Sequence, residues 1–154
     1  MRRATRSGKA LDALVRALKL RPHPEGGHYR ETWRQKPIAR GERGSGTAIY
    51  YLLRRGEESR WHRIDAVEIW HHYAGAPLAL TIATGGRTRT VRLGPSIATG
   101  ERPQAVAPKG VWQRARSLGD WTLVGCTVSP AFDFAGFELA PEGFAPGGRC
   151  RRRR

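Results

Sequence analysis

One short stretch of the chain, residues 56–75, concentrates the side chains that could carry out chemistry. His62 titrates near neutral pH, so it is the best candidate in this stretch for a general acid or base. Glu68 follows on the same stretch and could orient the imidazole or act as a second proton-transfer group. The sequence therefore indicates acid–base chemistry centred on His62 and Glu68.

The residues around Glu68 alternate in the manner of a β-strand. Alternation places Glu68, Trp70 and His72 on one face of that strand and the intervening residues on the other. A carboxylate, an indole and an imidazole facing the inside of a barrel would line a polar pocket, because buried Glu and His need hydrogen-bonding partners. This face is therefore either a ligand site or a satisfied internal network, and the sequence leaves both interpretations open.

Six residues are candidates for contacting a bound molecule, and His72 is one of them. The amide of Gln113 could donate to a carbonyl or phosphate oxygen of a substrate. Trp70 and Phe134 could supply flat apolar walls for a sugar or base ring. Tyr29 and Glu31 lie two positions apart on one predicted strand and could complete the rim of the pocket.

Many short β-strands and one helix must position these residues. Leucines recur at helical spacing in residues 10–20, and Pro22 ends this helix. Gly and Pro turn signals separate the strand candidates, which are 28–34, 47–53, 60–64, 67–73, 78–83, 88–93, 105–107, 111–115 and 121–128. His23 lies between two prolines and is expected in an exposed loop. The pattern predicts an all-β barrel or sandwich with one leading helix.

The order of these motifs resembles the cupin superfamily. Gly56, His62, Glu68 and Gly75 follow the spacing of its first motif, and residues 108–113 (PKGVWQ) resemble its second. Further matching strings are EGGHYRET at 25–32, IYYLL at 49–53 and GCTVSPAFDF at 125–134, which resemble a short single-domain branch of unknown function. The resemblance extends over about residues 10–144. It implies one cupin jelly-roll barrel, or double-stranded β-helix, with an internal pocket, in a protein that forms homodimers.

The chain departs from this family at the positions that hold a metal. Cupins that bind a metal typically use two histidines and the glutamate of the first motif, together with the histidine of the second. The matching positions here are His62, Ile64, Glu68 and Gln113. Isoleucine cannot ligate a metal and an amide is a poor ligand, so we expect no metal and no other cofactor. His62, Glu68 and Gln113 remain the weak candidates for ligands.

The resemblance implies a small-molecule-binding protein that uses the barrel pocket. Metal-independent cupins include epimerases of nucleotide-linked sugars, which favours epimerase- or isomerase-like acid–base chemistry on a sugar- or nucleotide-like metabolite. Fold-level similarity does not fix a reaction, so whether the chain is an enzyme stays open. The alternative is a metabolite-binding module without catalysis.

The net charge of +15 lies mostly at the two ends of the chain. Residues 1–9 and 147–154 hold nine basic residues and no acidic ones, and we predict that they form disordered tails around one cupin domain at 10–146. Arginine runs bind phosphates without reading sequence, so weak nucleic-acid association through these tails is a further alternative. No nucleic-acid-binding motif accompanies them, and we expect no nucleic-acid partner.

Composition and cysteine content indicate the cellular compartment in which the protein is expected. Hydrophobic residues make up 39% of the chain and charged residues 27%, which excludes a wholly disordered protein. Cys126 and Cys150 are too few for a disulfide framework. No apolar run is long enough for a membrane span or a signal peptide. We therefore expect a cytoplasmic protein with reduced thiols and no membrane association.

Overall fold

The structure, a computed structural model, describes residues 6–146. It contains one helix, α1 (Arg6–Ala17), and two single turns of 3-10 helix, Ile97–Thr99 and Phe134–Gly136. The strands are β1 (Arg21–Pro22), β2 (His28–Arg34), β3 (Thr47–Arg54), β4 (Glu58–Ile64), β5 (Val67–Gly75), β6 (Leu78–Thr84), β7 (Arg87–Leu93), β8 (Gln104–Ala107), β9 (Trp112–Ser117), β10 (Trp121–Ser129) and β11 (Phe137–Leu139).

The strands form two antiparallel sheets that enclose one core. The six-stranded sheet has the order β1-β2-β3-β10-β5-β8, and the five-stranded sheet has the order β11-β4-β9-β6-β7. Their inner faces bury mainly aliphatic and aromatic side chains, including Tyr51, Leu53, Trp70, Leu80, Ile82 and Val124. This arrangement confirms the predicted all-β cupin barrel with one N-terminal helix.

Helix α1 covers part of the outer face of the six-stranded sheet. Its Leu11 packs with Leu20 against Leu52 and Leu123, which the sheet turns away from the barrel interior. Burial of such leucines stabilises the docked helix by about 1.5–3 kcal/mol per side chain. The helix begins four residues before the predicted start, so it overlaps the N-terminal segment for which the sequence predicts a disordered tail.

The structure does not describe either end of the chain. Residues 1–5 and 147–154, which carry most of the basic tails and Cys150, lie outside the described residues. Within residues 6–146, no helix combines the length and the apolar character that crossing a membrane requires.

The predicted strands all occur, and the structure adds two that the pattern did not reveal. Strand β1 has two residues. Strand β11 has three, which pair with the C-terminal half of β4, so that Leu139 lies opposite His62 and Phe137 opposite Ile64. Such short strands are held by their partners rather than by a sequence pattern of their own. Both lie at the end of the barrel where the cavity opens.

Two glycines bring the turn before β2 against β4. Gly26 and Gly27 have φ angles of +114° and +69°, which other residues rarely adopt. A Cβ atom on Gly26 would collide with the Glu58 carbonyl oxygen, so only glycine permits this approach. The Arg60 N–H donates to the Glu25 carbonyl oxygen at 2.9 Å, which fixes Glu25 beside β4.

Candidate functional site

A cavity of about 270 Å³ opens at one end of the barrel, between the two sheets. Its acidic lining residues are Glu25, Glu31 and Glu68, and its basic ones are Arg21 and Arg34. Seven of its sixteen lining residues carry aromatic rings, namely His23, Tyr29, Tyr51, His62, Phe132, Phe134 and Phe137. The cavity therefore combines an apolar wall with a few convergent polar groups, which is the usual composition of a small-molecule site.

His62 and Glu25 are in direct contact inside the cavity. The Nε2 atom of His62 lies 3.3 Å from Oε2 of Glu25, and both side chains are buried. His62 Nδ1 donates to the Arg60 carbonyl oxygen at 2.8 Å, since a carbonyl can only accept. The proton between Nε2 and Oε2 is then held by the glutamic acid in the neutral pair and by the imidazolium in the charged pair.

Burial favours the neutral form of this pair. It raises the pKa of Glu25 to about 7, against the lowering effects of the neighbouring Ser59 and Tyr51 hydroxyls and of the Arg60 charge. Burial also lowers the pKa of His62, against the opposing effects of the Glu68 charge and the Arg60 carbonyl. A proton that Glu25 holds with a pKa of about 7 is available for transfer near neutral pH.

Glu68 lies on the opposite sheet and is held by a buried hydrogen-bonded chain. The Nε2 atom of Gln113 donates to Glu68 Oε2 at 2.6 Å, and Trp70 Nε1 donates to Gln113 Oε1 at 2.9 Å. Burial raises the pKa of Glu68 to about 7, and the nearby Glu25 charge adds to this, whereas His62 and the hydrogen bonds from Gln113 and Cys126 oppose it. Glu68 is therefore a second group that can exchange a proton near neutral pH.

His23 also belongs to the cavity, so the expectation of an exposed loop is wrong. Its side chain is only 7% exposed, and its ring packs edge-on against Tyr29 with a centroid distance of 4.5 Å. The Glu25 backbone N–H donates to His23 Nδ1 at 3.2 Å, which leaves the hydrogen of the neutral ring on Nε2. Burial lowers the pKa of His23 to about 4, with a smaller contribution from His62.

Three phenylalanines after β10 form the wall next to the mouth. Phe137 stacks over the His62 ring at 5.7 Å, and Phe134 stacks with His23 at 6.3 Å. Phe132 contacts Phe134 edge-on at 4.9 Å. Phe134 remains 52% exposed, so it forms the outer edge of this wall.

The two arginines at the mouth differ in their partners. Arg34 makes two hydrogen bonds to the Glu31 carboxylate, at 2.8 and 2.7 Å, and a third to the Phe132 carbonyl oxygen. Arg21 lies over the Tyr29 ring at 5.1 Å. No acidic residue among those at 6–146 forms an ion pair with Arg21, so its guanidinium keeps its hydrogen-bond donors for another partner.

The structure brings five of the residues predicted from the sequence to one cavity. His62, Glu68, Tyr29, Glu31 and Phe134 all line it. Glu68 contacts Gln113 rather than the imidazole of His62, so the orienting role predicted for Glu68 belongs to Glu25 instead.

Three predicted contact residues do not line the cavity. Trp70 and Gln113 lie behind Glu68 and hydrogen-bond to each other, so Trp70 is not a wall of the pocket and Gln113 has no free amide for a substrate. His72 faces the same side of β5 as Glu68 but lies about 13 Å further along the strand, at roughly 3.3 Å per residue. Its Nε2 atom lies 3.2 Å from the Ala76 carbonyl oxygen, with Trp70 between it and the cavity.

Sequence reasoning missed Glu25, Arg21, Tyr51 and two of the phenylalanines. Glu25 had one available signal, a carboxylate placed directly before two adjacent glycines in a string shared with a known family. Phe132 had the same kind of signal, since it lies in the matching string at 125–134. Arg21 had none, because it belongs to a two-residue strand without a periodic pattern.

The residues at the cupin metal positions do not fit a metal ion. Ile64 presents an apolar side chain, and the Gln113 oxygen accepts a hydrogen bond from Trp70. Among the residues at 6–146, no group of three or more His, Cys, Asp or Glu side chains is arranged to hold a metal. The remaining donors, His62 and Glu68, are instead joined to Glu25 and Gln113.

Comparisons with known proteins agree with this architecture. Residues 12–140 match the family described as the cupin superfamily, DUF985. An X-ray structure of a protein from Shewanella oneidensis is 40% identical, with 84% of this chain and 83% of that chain covered and a TM-score of 0.79. A hypothetical protein from Leishmania major is 30% identical, with 84% and 86% covered and a TM-score of 0.77.

More distant structures share only the fold. A variant of oxalate decarboxylase from Bacillus subtilis is 17% identical, with a TM-score of 0.60, and the match covers 77% of this chain and 29% of that one. The search of curated proteins gave no match.

Proposed function

Because this chain belongs to the DUF985 family of the cupin superfamily, we propose that it binds a small organic molecule in the barrel cavity and isomerises it by moving a proton. The observation that carries the proposal is the contact between His62 Nε2 and Glu25 Oε2 at 3.3 Å, in a cavity of about 270 Å³. Glu68, on the facing sheet, supplies the second protonation site.

The proposed reaction uses one group to remove a proton and the other to return one. Glu68 in its ionised form takes a proton from the bound molecule. The bonding electron pair left behind moves into a conjugated system of that molecule. The proton shared by Glu25 and His62 goes to another atom of that system, so the product is an isomer of the substrate. Exchange with water then resets both groups, and no oxidant or second substrate is consumed.

The pKa values of the two buried carboxyls support these roles as proton donor and proton acceptor. General acids and bases work best when their pKa lies near the working pH. The carboxyls of Glu25 and Glu68 both have a pKa of about 7, mainly because they are buried. The aromatic walls suit a ring-shaped body, in line with a sugar- or nucleotide-like metabolite, and would keep bulk water from the reacting atoms.

Deuterium uptake tests the proposal across many candidate substrates at once. The purified protein is incubated in D₂O with a pool of small metabolites, and mass spectrometry in H₂O then detects deuterium that has been retained on carbon. We expect at least one metabolite to gain a carbon-bound deuterium. The rate should fall by roughly 100-fold or more in Glu25→Gln and in Glu68→Gln, because each removes one proton-transfer group.

Glu142→Gln is the matched control, since Glu142 is exposed and lies away from the cavity lining. Its uptake rate should equal that of the unaltered protein. Saturable binding of a metabolite without any deuterium uptake would contradict proton transfer and favour the alternative, a binding module without catalysis.

A further inference from the structure

The floor of the cavity offers more hydrogen-bond acceptors than donors. Glu68 receives one strong hydrogen bond, from Gln113 to Oε2, and its other donor neighbour is the Cys126 thiol, which donates weakly. The Tyr51 hydroxyl is turned away to the Gly26 carbonyl oxygen at 2.6 Å. A ligand group that reaches Glu68 is therefore favoured if it carries N–H donors and disfavoured if it is an anion.

The mouth has the opposite character. Arg34 is committed to Glu31 and to the Phe132 carbonyl oxygen, which neutralises its charge. Arg21 is exposed over the Tyr29 ring and forms no ion pair with an acidic residue of the described chain. An anionic group at the mouth would gain a charge-assisted hydrogen bond from this guanidinium.

Between these two ends, aromatic rings line the cavity. His23 and Phe134 are stacked, and Tyr29 and Phe137 meet His23 edge-on from other directions. Aromatic surfaces of this kind hold a planar ring by stacking or edge contacts. The cavity is thus polar at both ends, with opposite charge preferences, and apolar along its length.

We propose that the ligand is a bipolar ring compound whose amine, amidine or ring N–H group points to Glu68 and whose carboxylate or phosphate lies at Arg21. This inference rests on the proposed function only in taking the barrel cavity as the ligand site. It adds the ligand's polarity and direction of entry.

Three commercial compounds of similar size test the inner and outer ends of the cavity separately. 4-(Aminomethyl)benzoate carries both groups, benzylamine carries only the inner one and benzoate only the outer one. Isothermal titration calorimetry at pH 8 should give the highest affinity for 4-(aminomethyl)benzoate, by roughly tenfold over each of the others. Benzoate binding as tightly as the compound with both groups would overturn the proposal.

Two substitutions assign the ends to their residues. Glu68→Gln, which can still accept from Gln113, should weaken both amine-bearing probes by roughly tenfold and leave benzoate unchanged. Arg21→Gln should weaken both carboxylate-bearing probes to a similar extent and leave benzylamine unchanged. Arg40→Gln is the control for lost charge, because Arg40 is exposed and outside the cavity lining. Weaker binding of the carboxylate-bearing probes to Glu68→Gln, and of the amine-bearing probes to Arg21→Gln, would overturn the proposed orientation of the ligand.

Nuclear Overhauser contacts to the unaltered protein give a second test that does not depend on folding of a variant. The benzylic CH₂ of bound 4-(aminomethyl)benzoate should contact the methyl groups of Val128, which lies opposite Glu68 in the strand register. The ring protons beside its carboxylate should contact the Tyr29 ring. The opposite order of contacts, or loss of binding on addition of a chelator, would overturn the proposal.

Failure here and failure of the proposed function give different results. Binding in the expected order without deuterium uptake by any metabolite would leave the ligand polarity intact and contradict the proton transfer. Deuterium uptake by a substrate whose acid group lies inside the cavity would support the proton transfer and contradict the proposed ligand polarity.

Discussion

The Nε2 atom of His62 lies 3.3 Å from Oε2 of Glu25, which joins β4 to the turn that precedes β2. Ser59 donates to the other Glu25 oxygen at 2.9 Å, so each oxygen of this buried carboxyl has its own partner. The contact depends on the close approach of Gly26 to β4, and it supplies the proton on which the proposed chemistry rests.

Replacement of Glu25 should separate the loss of hydrogen bonds from the loss of charge. Glu25→Ala leaves His62 Nε2 and the Ser59 hydroxyl buried without partners, and should lower the free energy of unfolding by about 2–4 kcal/mol. Glu25→Gln can accept from Ser59 and donate to His62, and should cost less than about 1 kcal/mol. Urea denaturation at pH 7 measures both values.

Exposed Glu142→Ala is the control for this pair of variants and should change the free energy of unfolding by less than about 0.5 kcal/mol. Equal losses in Glu25→Ala and Glu25→Gln would mean that a charged carboxylate, rather than the neutral pair, stabilises the fold at pH 7.

The hydrogen-bonded chain behind Glu68 should contribute strongly to stability. Gln113→Leu removes the acceptor of Trp70 Nε1 and the donor to Glu68 in a fully buried position. We expect the free energy of unfolding to fall by about 2–4 kcal/mol, as measured by urea denaturation. The same replacement at exposed Gln104 should change it by less than about 0.5 kcal/mol. Similar losses at both positions would contradict a structural role specific to Gln113.

The stability of the protein should decrease as the pH rises from 6.5 to 8. Glu25 and Glu68 have their pKa raised from 4.5 to about 7, so the folded protein keeps protons that the unfolded chain has released. This stabilisation is complete below pH 4.5 and is lost as the pH rises through 7. His23, whose pKa is lowered from 6.5 to about 4, acts oppositely, because its stabilisation is lost as the pH falls from 6.5 to 4. His62 acts in the same direction as His23, because burial lowers its pKa too.

The two effects oppose each other between pH 4.5 and 6.5, and above 6.5 the carboxyl effect remains. The groups facing Glu68 from the neighbouring elements are His62, Glu25 and Cys126, so its titration is coupled to theirs. Thermal unfolding at pH 6.5, 7.2 and 8 should show the decline, and Glu68→Gln should make it smaller. A midpoint that rises over this range would contradict the raised pKa values.

Local patterns in the sequence were sufficient to predict most of the fold. Alternating apolar residues separated by Gly and Pro predicted the long strands, and motif spacing placed His62 and Glu68 in one pocket. The strands β1 and β11 escaped prediction because two or three residues carry no period, and they exist only through pairing with β2 and β4.

The sequence by itself determined the long strands and placed two residues able to transfer a proton, His62 and Glu68, in one stretch. Tertiary structure alone decided the partners of those residues, because a hydrogen bond depends on distance in space and not on spacing along the chain. His62 meets Glu25 from a glycine turn, and His72 is separated from Glu68 by the Trp70 indole, although both face one side of β5. Burial, which moves the pKa of Glu25 and Glu68 to about 7, likewise arises only when the two sheets close over them.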